Sequence, residues 1–132
     1  MTAKIRVLVA DDERPSRLFL ITALSAFVEI EVIAEAKSGK EALHLIETLH
    51  PDVAFLDIHM PEIDGFGVLE LLQDWKPLIV FVSAYEEHAG RAGELNAVDY
   101  LLKPVDHCCL RRALDRVRER MTCAEVASTM SA

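Results

Sequence analysis

Short, nearly all-apolar runs alternate with helix-spaced apolar stripes along this chain. The runs occupy residues 5–10, 31–36, 53–56, 78–82 and 99–102. Runs of that length and composition read as strands covered on both faces. Between the first two, residues 15–27 place Leu18, Ile21, Leu24 and Ala26 or Phe27 close to helical spacing. Residues 39–49 repeat the pattern with Ala42, Leu43, Ile46 and Leu49, and residues 65–72 with Val68, Leu69 and Leu72. Residues 106–121 carry a stripe of Leu110, Ala113, Leu114, Val117 and Met121, and Asp106 suits the N-cap ahead of it. A helix over 87–95 is interrupted by Gly90 and Gly93, each of which costs a helix about 1 kcal/mol relative to alanine. Either tertiary contacts hold that helix, or it is soft because it must move. Five strands and five helices in strict alternation predict an α/β fold, a parallel sheet with helices on both faces. No internal linker, repeat or low-complexity stretch divides it. Residues 1–121 are expected to form one domain, and residues 122–132, small and polar-leaning, a tail or linker stump.

Composition narrows the class. With 132 residues, 52% of them hydrophobic, and a mean hydropathy of +0.21, the chain can bury a full core without metal or disulfide staples. Lys+Arg 14 against Asp+Glu 22 gives a net charge of −8, which argues against non-specific nucleic-acid binding. Cys108, Cys109 and Cys123 are odd in number, with two adjacent, and fit a reducing compartment better than a disulfide framework, with Cys108 or Cys109 packing as a small hydrophobe. The first apolar run stops at two aspartates, and no stretch approaches the roughly 20 apolar residues of a membrane span. A cytoplasmic location, with no membrane contact, is expected.

The strand ends carry the chemistry. Asp57 closes an apolar strand and leads into Met60-Pro61 and Asp64-Gly65. Asp11 and Asp12 end the first strand, Ser83 the fourth and Lys103 the last. In open α/β sheets, ligands bind at that carboxyl edge. Like charges 4 Å apart repel by about 4 kcal/mol at an effective dielectric of 20. A hard divalent cation with oxygen ligands answers that repulsion, and Mg²⁺ is the expected cofactor. Three carboxylates, one ammonium and one Mg²⁺ sum to zero, a site able to accept a phosphoryl group. The most exposed carboxylate would act as nucleophile, giving an acyl phosphate. The Ser83 hydroxyl and the Lys103 ammonium can both meet phosphoryl oxygens, and a cis Lys103-Pro104 bond would aim the lysine inward. Each residue alone has a plainer reading, as cap, solvated base or strand end. Together they are hard to obtain by chance.

Asp11-Asp12-Glu13, Leu56-Asp57-Ile58-His59-Met60-Pro61 with Asp64-Gly65, Val82-Ser83-Ala84 and Tyr100-Leu101-Leu102-Lys103-Pro104 resemble the receiver domain of two-component response regulators. The resemblance covers roughly residues 4–120 and implies the flavodoxin-like, doubly wound sheet with strand order 2-1-3-4-5. Residues 83–89 and 96–106 are more particularly similar to receivers of the LytR/AlgR group, which precede LytTR-type DNA-binding domains. The resemblance implies that a sensor histidine kinase phosphorylates Asp57. It also implies that Asp12 and Asp57 bind Mg²⁺ directly, with Asp11 acting through water and His59 lending its backbone carbonyl. Ser83 and Tyr100 would be the switch pair and Lys103 the phosphate contact. Phosphorylation would draw Ser83 inward, let Tyr100 turn into the vacated space, and reshape the surface of the fourth helix, fifth strand and fifth helix. His59 and Tyr85 would tune phosphoryl lifetime. Two departures are visible. Ser83 stands where members often carry Thr, and Gly90 and Gly93 stand where LytTR-type receivers commonly carry larger residues.

Arg111, Arg112, Arg116, Arg118 and Arg120 crowd the last helix, but Asp115 and Glu119 interleave. A solvated face is the default, followed by a homodimer contact through this surface, ahead of DNA. DNA contact is expected only through an output domain beyond Ala132. The leading reading is a regulatory module in transcription control, not an enzyme acting on other molecules. Its competitors are a stand-alone response regulator, a pseudo-receiver serving only as an interaction module, and a Mg²⁺-dependent phosphohydrolase. The last would need a second Asp where His59 stands.

Overall fold

The computed structural model describes residues 4–130. Five parallel strands, β1 (Ile5–Ala10), β2 (Ile30–Ala36), β3 (Val53–Asp57), β4 (Leu78–Ser83) and β5 (Asp99–Leu102), form one sheet in the order β2-β1-β3-β4-β5. The helices are α1 (Arg14–Leu24), α2 (Gly39–Leu49), α3 (Gly65–Leu71), α4 (Ala89–Glu94) and α5 (His107–Met130). The predicted flavodoxin-like architecture is therefore the one found.

Alternation along each strand sends side chains to two cores. Val7, Val9, Phe55, Val80 and Val82 pack with Leu20 and Leu24 of α1 and Leu110, Leu114 and Val117 of α5. Leu8, Ala54, Leu56 and Phe81 pack on the other face with Ile46 of α2, Phe66 and Val68 of α3 and Ala92 of α4. Because both faces are covered, the strands read as unbroken apolar runs. Side chains start three helices. Ser38 accepts from the Glu41 N–H at 3.1 Å, Asp64 from Gly67 at 2.7 Å, and Asp106 from Cys109 at 2.7 Å, as expected for the last.

Three helix boundaries differ from the apolar spacing. The helix expected over 15–27 ends at Leu24, because the Ser25 hydroxyl and N–H fold back on the Thr22 carbonyl and the chain turns to sink Phe27 into the core. The helix expected over 87–95 is a 3-10 turn, Glu86–His88, followed by a six-residue α4 in which Ala92 alone is buried. The last helix runs past 121 to Met130, so residues 122–130, expected as a tail, continue α5. Residues 131 and 132 lie outside the described residues. Among those described, no helix is long and apolar enough to cross a membrane.

Candidate functional site

Strand register brings the predicted residues together. Ala10 and Leu56 are partners in the β1–β3 ladder, so Asp11 and Asp57, the residues that follow them, reach the edge at one level. Asp57 pairs in turn with Val82 of β4, and Ser83 pairs with Leu102 of β5, so Ser83 and Lys103 rise just above the carboxylates. Carboxylate oxygens of Asp11, Asp12 and Asp57 all lie within 4.8 Å of one another. The Lys103 ammonium bridges two of them, 2.9 Å from Asp11 Oδ2 and 3.2 Å from Asp57 Oδ2. The Lys103-Pro104 peptide is cis.

The three acids are not equivalent. Asp11 and Asp57 are 5% and 4% exposed, whereas Asp12 is open to solvent. The expectation that the most exposed carboxylate is the nucleophile thus points to Asp12 by exposure, whereas the motif resemblance points to Asp57. Asp57 closes a buried strand at the site's centre, beside the lysine. Burial works to raise the Asp11 carboxyl, but bonds from Ser16, Lys103 and the Glu13 N–H outweigh it and hold Asp11 below the usual carboxylate range. At Asp57 burial wins. With Lys103 pulling down and Asp11 pushing up, its carboxyl is pushed up to about 6. Burial would lower the Lys103 ammonium, yet the two carboxylates hold it above its ordinary value.

These oxygens fit a small hard cation. Asp12 supplies an open carboxylate, while the oxygens of Asp57 and Asp11 are both engaged. Those of Asp57 accept longer bonds, from Lys103 at 3.2 Å and the His59 N–H at 3.3 Å, than those of Asp11, at 2.9 Å each. His59 follows Asp57 closely, and its N–H points at Asp57 Oδ1 at 3.3 Å. Its ring is exposed, edge-on to Tyr85 at 5.1 Å between centroids. Ser83 is fully buried, and its hydroxyl accepts from the Tyr85 N–H at 3.1 Å. Tyr100, half-buried, donates from its hydroxyl to the Tyr85 carbonyl. The expectation places an inward turn of this ring after phosphorylation; here the ring is already tied to the segment that follows Ser83.

Several contributors were not read from the sequence. Arg17, 9% exposed, donates to the Asp11 carbonyl at 2.8 Å and to Glu35 at 2.8 Å, fixing the backbone that carries the acids. Its signal was a charge on the 17-20-24 buried stripe of α1. Gly65 sits against β3 so closely that a Cβ would lie 2.6 Å from the Asp57 carbonyl oxygen. Buried Asp99 takes Arg112 at 2.9 Å and Arg116 at 3.0 Å, Arg118 pairs with Asp115 and Glu29, and Arg111 lies over the Phe27 ring. The arginine row of α5 thus pairs with acids of the domain while remaining a solvated face, with Arg112 and Arg116 side chains about half exposed.

A parallel sheet ordered 2-1-3-4-5 with acids at the ends of β1 and β3 and a lysine after β5 defines a receiver-type module. The family model for the response regulator receiver domain matches residues 7–115, and the chain belongs to that family. An uncharacterized response regulatory protein of Yersinia pestis is 46% identical over 114 residues, 86% of this chain and 48% of that protein. The transcriptional regulatory protein BtsR of Escherichia coli (strain K12) is 39% identical over 124 residues, 93% of this chain and 52% of BtsR. The chain thus spans about half the length of the curated relatives it matches. Among solved structures, the REC domain of AraT, a response regulator from Geobacillus stearothermophilus, superposes with a TM-score of 0.78 at 32% identity, covering 91% of this chain and 97% of that one. The response regulatory domain of mrkE from Klebsiella pneumoniae gives a TM-score of 0.75 at 30% identity, covering 91% and 98%.

Proposed function

We propose that this receiver domain works as a Mg²⁺-dependent phospho-switch in which Asp57 takes a phosphoryl group from a sensor histidine kinase. The observation that carries it is the Lys103 ammonium set between the Asp11 and Asp57 carboxylates, with all three acids within one cation's reach. Mg²⁺, held by Asp12 and Asp57 with Asp11 acting through water, would neutralise charge on the carboxylates and the incoming phosphoryl oxygens. An Asp57 carboxylate oxygen attacks phosphorus. The P–O bond forms, the P–N bond to the kinase imidazole breaks, and its electron pair returns to that nitrogen. Lys103 leaves its bond to Asp57 and meets a phosphoryl oxygen instead, and Ser83 turns its hydroxyl from the Tyr85 N–H toward the same group.

Ser83, Tyr85 and Tyr100 link the site to the surface of α4, β5 and α5 through the two hydrogen bonds at the Tyr85 backbone. That surface would pass the signal to an output domain beyond residue 132 or to a second copy of the chain. An output of the LytTR DNA-binding kind rests on the motif resemblance alone; the name of BtsR, a transcriptional regulatory protein, agrees with gene control. The domain would be cytoplasmic, where such a kinase presents its phosphohistidine. Incubation with Mg²⁺ and acetyl phosphate should add one phosphoryl group that is acid-stable, base-labile and absent from Asp57→Asn. No adduct would leave an interaction module only, and rapid turnover of phosphate esters would mean a phosphohydrolase.

A further inference from the structure

His59 lies two residues after Asp57, and His88 closes the 3-10 turn at the head of α4. Although 29 residues apart in sequence, they set their Nε2 atoms 3.2 Å from each other. Aromatic neighbours hold both rings in place, Tyr85 edge-on to His59 at 5.1 Å and Phe66 edge-on to His88 at 5.9 Å. An Nε2–H of one ring donating to the other ring's Nε2 accounts for this contact, and so does a metal ion held between two Nε2 lone pairs. Zinc–nitrogen bonds of about 2.0–2.1 Å at the tetrahedral angle put two imidazole nitrogens about 3.3–3.4 Å apart. The observed spacing is close to that ligand-to-ligand distance, and both rings are open to solvent that can complete an ion's shell.

The geometry points to a second cation site, formed by His59 and His88, that takes a borderline divalent transition ion such as Zn²⁺. Its donors differ in kind from those of the phosphoacceptor site. Imidazole nitrogen suits zinc, nickel and copper, whereas an all-oxygen set suits Mg²⁺, so the two sites select different metals. The pair joins the loop after β3 to the start of α4, and a bound ion would clip the two together. Resting on the proposed phospho-switch is a further consequence: an ion there would immobilise the His59 ring beside Asp57 and change the lifetime of the phosphoryl group.

Co²⁺, a spectroscopic stand-in for Zn²⁺, tests the site on the full chain with excess Mg²⁺ keeping the carboxylates filled. One equivalent should give the intense visible absorption of a tetrahedral complex, and Zn²⁺ should displace it. Losing a ligand should weaken binding by at least the roughly 10–100-fold that follows loss of a mere outer-shell partner. His59→Ala and His88→Ala should each show that loss, while His107→Ala and Asp57→Asn keep the band. Weak octahedral absorption alone, equal binding by the histidine variants, or a band lost in Asp57→Asn instead would each overturn the assignment. Because this readout needs no phosphorylation, it stands or falls apart from the phospho-switch. Decay of the acetyl phosphate adduct, with and without Zn²⁺, then reports the consequence.

Discussion

Replacing Asp57 by Asn should stabilise the metal-free protein at neutral pH, although it removes the proposed reactive group. Asp57 is 4% exposed, and burial pushes its carboxyl from 3.8 up to about 6. At about 1.36 kcal/mol per pH unit, the ionised form therefore carries a penalty of about 3 kcal/mol in the native state. That figure is a ceiling, because the site opens to water on one side and screening reduces it. The folded value lies above the unfolded one, so the contribution of Asp57 is favourable below pH 3.8 and is lost as pH rises through about 6. Asn has the same shape and no charge, so it escapes the loss. We expect it to gain about 1–3 kcal/mol at pH 7.5 and about half that at pH 5. Urea unfolding in EDTA, followed by Trp75, measures this directly. The single tryptophan is half-buried, donates to the Pro51 carbonyl at 2.6 Å and stacks on His50. The midpoint should shift while the slope stays the same. Adding Mg²⁺ should narrow the gap, since the ion favours the ionised wild-type carboxylate. An Asn variant no more stable than wild type at pH 7.5, or a gain that does not fade toward pH 5, would refute the reasoning.

Gly65→Ala places a Cβ 2.6 Å from the Asp57 carbonyl oxygen, a backbone atom that cannot swing aside. It should cost about 1–3 kcal/mol in urea unfolding and slow phosphorylation by acetyl phosphate. A Cβ on Gly90 or Gly93 meets nothing within 4 Å, so Gly90→Ala and Gly93→Ala should each add up to about 1 kcal/mol to α4, seen as slower amide exchange across residues 89–94. Arg17→Met strips the buried Asp11 carbonyl of its guanidinium donor at 2.8 Å. A loss of about 1–3 kcal/mol is expected, with a weaker Mg²⁺ affinity measured by calorimetry; unchanged Mg²⁺ affinity would confine Arg17 to a structural role.

The site was legible because its residues are strand ends. Once Ile5–Ala10 and Val53–Asp57 are read as parallel neighbours, Asp11 and Asp57 must meet at one edge, and the Ser83 and Lys103 positions follow from the same register. What escaped depends on contacts between distant segments or on a local competition. The end of α1 is decided by Ser25 folding back on Thr22, against an apolar spacing that runs on to Phe27. Arg17 occupies a core position of α1, and only the three-dimensional neighbours Glu35 and Asp11 explain a charge there. The His59–His88 pair joins two loops whose lengths say nothing of their approach. In α5 the arginines do lie on the solvated face expected of them, but the pairing of two of them with Asp99, a residue of the neighbouring strand, is a contact that spacing does not reveal.

Magnitudes also select which element can move in the proposed switch. Taking a population from 1:99 to 99:1 requires about 5.5 kcal/mol of differential stabilisation, which bounds what phosphorylation has to supply. Displacing α5 would expose Leu110, Leu114 and Val117, all fully buried, at about 1.5–3 kcal/mol each, which consumes most or all of that amount. Asp99 would also have to release Arg112 and Arg116. By contrast, α4 has six residues, two of them glycine, and buries only Ala92, a single methyl worth about 0.8 kcal/mol. The segment from Tyr85 to Glu94 is also where Ser83 and Tyr100 converge, at the Tyr85 N–H and carbonyl. Motion therefore belongs to residues 85–94, with α5 as the fixed wall against which the surface is reshaped. The two glycines keep that segment cheap to rearrange, and this is why alanine there should stabilise the fold while reducing its response to phosphorylation.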